Sequence, residues 1–168
     1  MDWKTPPPGW LRFNFNAAIR HNKVTVAACC RTDTGELIYA CSKNLPAGDP
    51  LWGEAHAALL AITSAQEIGC KYVLFEGDAL SIVEAFSKNS EDIDWSIRGI
   101  INDAKSLLHS FKAWDFVHVH RETNFFVHNL ASWTCASNFD GPISISFIPN
   151  WLFVSGDGLG PSTVLSGF

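Results

Sequence analysis

Tyr72-Val73-Leu74-Phe75-Glu76-Gly77-Asp78-Ala79-Leu80 is the stretch on which the fold turns. Its apolar start, Tyr72 to Phe75, reads as a short buried strand. The strand ends in Glu76-Gly77-Asp78, where a helix of about eight residues is predicted to begin. Immediately upstream lies an Ala-rich segment, roughly Leu51 to Ile68. In it Ala55, Ala58, Leu59, Ile62 and Ala65 recur at helical spacing, and Gly69 closes the pattern. A strand reached through a long crossover helix implies parallel pairing.

Working outward, Leu11 to Asn16 alternates as a strand that Asn16 ends. Leu11, Phe13 and Phe15 face one side, and Arg12, Asn14 and Asn16 the other. Val24 to Cys30 reads as a second strand and Leu37 to Cys41 as a third. The turn Arg31-Thr32-Asp33-Thr34-Gly35-Glu36 joins them. Leu45 to Pro50 is a loop. Downstream, the acidic Ser90 to Asp94 is a loop and Trp95 to His109 a helix carrying Ile97, Ile100, Ile101, Ala104 and Leu108. Ala113 to Val119 is the fifth strand and Asn124 to Ser137 the last helix. The expectation is an α/β fold: a mixed five-stranded sheet, three antiparallel strands then two parallel, with helices on its faces. The domain is placed at residues 11–137. A Pro-rich entry arm, 1–10, precedes it. A tail, 138–168, follows it, packed in part through Ile143 to Val154 and loose after Ser155.

The composition excludes several classes. Of 168 residues, 47% are hydrophobic and 17% charged, which is globular rather than disordered usage. No apolar run approaches the roughly 18 residues of a membrane-spanning helix. The N-terminus lacks the basic and apolar regions of a signal peptide. The net charge is −5, and the 12 Lys and Arg form no cluster. That argues against strong, sequence-independent nucleic-acid binding, though not against a local site. Five cysteines, an odd number without a C-x-x-C pair, read as reduced thiols of the cytoplasm or nucleus.

The map brings a few polar residues to strand ends and helix starts, where ligands gather in open α/β sheets. They are Asn16, Glu54 and Asp78, with His118, His120 and His128 around the last helix. Two carboxylates from distant parts of the chain, Glu54 and Asp78, are suited as hard oxygen ligands of a divalent cation. Each also has a plainer role. Glu54 is a first-turn acid in favour with the helix dipole. Asp78 caps the next helix. Asn16 pairs with backbone or with Asp78, and His128 is a polar residue at a helix start. His118, His120, His128 and Cys135 match no familiar zinc spacing.

Five local motifs occur in order. Pro6-Pro7-Pro8-Gly9-Trp10-Leu11-Arg12-Phe13-Asn14-Phe15-Asn16-Ala17-Ala18 is followed by Glu54-Ala55 and by Phe75-Glu76-Gly77-Asp78-Ala79-Leu80. Then come His118-Val119-His120-Arg121-Glu122-Thr123-Asn124 and Val127-His128-Asn129-Leu130-Ala131. Over about residues 3–137 this resembles the ribonuclease H-like domain, in the plant form related to retroelement reverse transcriptases. The resemblance implies cleavage of the RNA strand of an RNA–DNA hybrid. It implies two magnesium ions, or manganese, held by four acids. The four positions here are Asn16, Glu54, Asp78 and His128, and only two are acids. His118 falls at the position of a helper histidine. An amide brings no negative charge, and imidazole suits magnesium poorly. Weak metal binding and weak or absent cleavage are therefore expected, with Glu54, Asp78 and Asn16 as the metal-facing set. The expected partner is RNA–DNA hybrid or RNA. An active hybrid ribonuclease is the alternative reading. A protein-interaction module, using the apolar tail around Ile148 to Val154, is a second.

Overall fold

Alternation along the first strand builds two hydrophobic layers, one on each side of a single sheet. The computed structural model describes residues 7–154. Its strands are β1 (Leu11–Ile19), β2 (Val24–Arg31), β3 (Leu37–Leu45), β4 (Tyr72–Gly77), β5 (Ala113–His118) and β6 (Gly141–Pro142). Its helices are α1 (Pro50–Glu67), α2 (Leu80–Ala85), α3 (Trp95–Leu107) and α4 (Phe125–Ala136). The strand order is β5-β4-β1-β2-β3-β6. β1, β2 and β3 run antiparallel to their neighbours in that meander, and β4 is parallel to both β1 and β5.

The expected mixed sheet is present, with one strand more than the sequence suggests. The sixth, β6, is two residues long and pairs Cys41 with Pro142 and Ser42 with Gly141. A Gly-Pro pair carries no strand signal of its own. It is held from β3, where Ser42 Oγ donates to the Phe139 carbonyl and Asp140 Oδ1 accepts from the Asn44 N–H. The helix expected to begin at Asp78 begins at Leu80 and has six residues, not eight. β1 runs on to Ile19, so Asn16 lies inside it rather than at its end. The reason is a difference between its two neighbours. Pairing with β2 continues to Ile19↔Val24, while pairing with β4 stops at Asn14↔Glu76. The entry-arm residues 1–6 and the tail after Val154 lie outside the described residues.

Phe13, Phe15, Val24, Val26, Val73 and Phe75 point to the face covered by α1 and α3. α1 presents Gly53, Ala57, Ala58 and Ala61 there, small residues that let the helix lie close to the sheet. Its start is capped by Asp49, whose carboxylate accepts from the Trp52 N–H at 2.8 Å, with Pro50 in the first helical position. Gly69 ends it at φ +78°, a left-handed conformation that glycine adopts without a Cβ penalty. On the other face Ala18, Ala27, Cys29 and Ala40 meet Phe126, Val127, Leu130 and Ala131 of α4. Ile148 and Leu152 of the tail are buried in this second layer. They serve the domain's own core, leaving Phe147, 77% exposed, outside it. All five cysteines are buried and free. No helix among the described residues is long and apolar enough to cross a membrane.

Candidate active site

At the end of β4 the Phe15 ring of β1 lies close against the backbone of Gly77. A Cβ on Gly77 would sit 2.5 Å from Phe15 Cζ, so only glycine allows the approach. The next residue on one strand is Asn16 and on the other Asp78. Their side chains meet there: Asn16 Nδ2 lies 3.4 Å and 3.5 Å from the two carboxylate oxygens of Asp78. These are long contacts, and they turn the amide N–H, not its oxygen, toward the acid.

Glu54 reaches the same point from α1. Its Oε1 accepts from the Ala17 N–H at 3.2 Å, and its buried Oε2 has no hydrogen-bond partner. It is not the solvated first-turn acid of the plainer reading. Nor does Asp78 cap α2, because the cap residue is Ala79 and no side chain bonds the helix start. His128, on the first turn of α4, completes the cleft. Its Nε2 is 3.3 Å from a terminal guanidinium nitrogen of Arg121. Asn16, Ala17, Glu54, Asp78, Ala79, Arg121 and His128 together line a cleft of about 360 Å³. The structure thus brings Asn16, Glu54, Asp78 and His128, the four positions singled out in the sequence, to one cleft.

His118 stands beside this group rather than in it. Its Nε2 is 3.2 Å from the Asp78 backbone carbonyl, and its ring packs edge-on to His120 at 6.2 Å. Arg121 is the cleft residue that sequence reasoning does not single out. It lies within the His118–Asn124 motif, but a loop arginine gives no local sign of where it points. Among the described residues no group of three His, Cys, Asp or Glu side chains converges as a metal site.

A buried polar network sets α4 against β1. Asn14 Nδ2 donates to Glu76 Oε1 at 3.1 Å and to Asn124 Oδ1 at 2.9 Å, and Asn124 Nδ2 donates to the Phe15 carbonyl at 3.2 Å. Arg12 Nε is 3.4 Å from Glu76 Oε1. Asn124 directly precedes α4, so its anchorage to β1 also places His128 one turn later. Such networks are costly when broken, because the groups left behind stay out of water.

Burial and then the nearby Asp78 charge push the Glu54 carboxyl from 4.5 up to about 8. The His128 imidazole is lowered, first by burial and then by the Arg121 charge. The folded chain therefore holds the Glu54 proton more tightly than the unfolded chain. The stability this confers is whole below about pH 4.5 and is lost as the pH rises toward 8. Glu54→Gln keeps the acceptor for the Ala17 N–H and removes the titration. In chelator, its stability relative to the parent is expected to rise between about pH 5 and about pH 8. Thermal melts at both pH values check this. A constant difference would mean that Glu54 is ionised at little cost.

A model of the reverse transcriptase-like family matches residues 14–134, the span that contains every residue of the cleft. The chain belongs to the reverse transcriptase-like family. None of the curated proteins matches its sequence closely enough to count as a relative. Solved structures match through the fold. RNase H1 from the halophilic archaeon Halobacterium salinarum is 21% identical with a TM-score of 0.62, covering 68% of this chain and 89% of that one. An RNase H1 isolated from compost is 14% identical with a TM-score of 0.69, covering 77% and 98%. The same compost enzyme in complex with RNA/DNA hybrid is 15% identical with a TM-score of 0.61, covering 68% and 88%. At these identities the likeness of this reverse transcriptase-like domain to them is one of fold: it has the RNase H-like fold.

Proposed function

We propose that this domain binds nucleic acid, RNA–DNA hybrid first, across the cleft, and cleaves it weakly or not at all. One observation carries the reading. Where the family resemblance implies four acids, the cleft brings together two carboxylates, one amide and one imidazole. Two magnesium ions carry four positive charges, and Glu54 and Asp78 supply at most two negative ones. The Asn16 amide, which donates toward Asp78 at long distance, adds no negative charge to theirs. The donor set does not fit a magnesium pair. Hybrid binding is supported by family membership and by the hybrid held in a structure of the same fold.

The test is a labelled RNA–DNA hybrid offered to purified protein with magnesium and then manganese. A Glu54→Ala, Asp78→Ala double variant runs beside it. Cleavage is expected to stay at the level of that control, while binding weakens steeply as salt rises. Cleavage well above the control would show that two carboxylates suffice. Failure to bind any hybrid, even at low salt, would remove the nucleic-acid reading.

A further inference from the structure

We propose that Arg121 grips a backbone phosphate in the cleft directly, so that nucleic acid binds here without a divalent cation. This deepens the nucleic-acid reading above and rests on it.

Arg121 lies on the loop between β5 and α4, exposed, and lines the cleft with Asn16, Glu54, Asp78 and His128. Among the described residues the one ion pair is Arg12–Glu76; no carboxylate lies within ion-pair distance of the Arg121 guanidinium, whose charge reaches Glu54 only across the cleft. Its recorded bond is to His128 Nε2 at 3.3 Å. A guanidinium only donates, so this contact requires Nε2 to be the unprotonated nitrogen and puts the imidazole proton on Nδ1. Most of the five guanidinium N–H groups stay available, in the planar fork that matches two oxygens of a phosphate.

The charge count of the cleft agrees. Of the lining residues Arg121 offsets one of the two acids, and burial favours the neutral carboxyl of the other, Glu54. An anion therefore meets a cleft near neutrality without help from metal. A metal pair would meet the Arg121 guanidinium and too few acids. The same substitutions that unfit the site for magnesium, Asn16 and His128, make it tolerant of a bare phosphate. Asn16 adds no repelling charge, and His128 steadies the arginine.

The experiment measures binding of a short labelled RNA–DNA hybrid to the full chain, once in chelator and once in magnesium, over a range of salt. The parent is expected to bind equally in both buffers. Arg121→Gln is expected to weaken binding about tenfold and to reduce the salt slope by about one. Arg121→Lys keeps the charge without the fork and is expected to fall between them. The residue is exposed, and an unchanged thermal melt confirms that each variant folds. Binding that needs magnesium, or that ignores Arg121→Gln, overturns the inference while leaving nucleic-acid binding intact. Absence of binding in both buffers overturns the nucleic-acid reading and this inference with it.

Discussion

Asn16→Asp combined with His128→Asp is expected to raise hybrid cleavage at least about a hundredfold over the parent chain in magnesium. Two decades of rate correspond to about 2.7 kcal/mol of barrier. The argument is one of charge and position. Asn16 already sits within 3.5 Å of Asp78, and Glu54 and His128 line the same cleft. The replacements therefore put new carboxylates where the geometry is in place. Four acids can offset the charge of two magnesium ions, and two cannot. Asp at position 128 also meets Arg121, which is 3.3 Å from the present imidazole. The single change Asn16→Asp is thus the cleaner half and is expected to supply part of the gain. Chelator should abolish the gain entirely. A double variant no faster than the parent, with its fold intact, would mean that acid count is not what limits this domain.

Phe75→Ala is expected to cost about 3–5 kcal/mol of folding stability. Phe75 is fully buried on β4, three residues before Asp78. Its ring stacks on Phe116 at 4.9 Å and tilts against Phe111 at 5.8 Å and Phe13 at 6.2 Å. Phe116 in turn stacks on Phe86 at 3.9 Å. The cluster joins β1, β4, β5 and the end of α2, so no single neighbour can move in to fill the space. Domains of this size are stable by only about 5–15 kcal/mol. The unfolding midpoint should therefore fall by roughly 6–20 °C. Phe147→Ala removes the same ring from an exposed position and should change stability by less than about 0.5 kcal/mol. Equal effects from the two substitutions would contradict this placement of the core.

Local pattern was enough for the elements that build the sheet. The alternation of Phe13 and Phe15 against Asn14 and Asn16 is a period-2 signal, and the two layers of the structure follow it. The alanine spacing of α1 and its crossover to β4 forced a parallel pair. Asp78 and Glu54 were legible because carboxylates at a strand end and near a helix start are unusual enough to notice. Strand and helix ends were less legible. β1 outruns its predicted end because its partner on one side is longer than on the other, which is a property of the pair and not of the strand. β6 exists only because β3 offers it an edge.

By itself, then, the chain's order of residues determined the five longer strands and the crossover, since each depends on neighbours in sequence, and the shortage of acids stood out against the family resemblance. The tertiary structure decided which way the Asn16 amide points, that one Glu54 oxygen is buried without a partner, and that Arg121 stands beside His128. Those facts join residues from β1, α1 and the loop before α4. The Asn14–Glu76–Asn124 network ties the start of α4 to β1 and so sets His128 beside them. Direction and distance across separate elements are set by packing, and no local pattern encodes them.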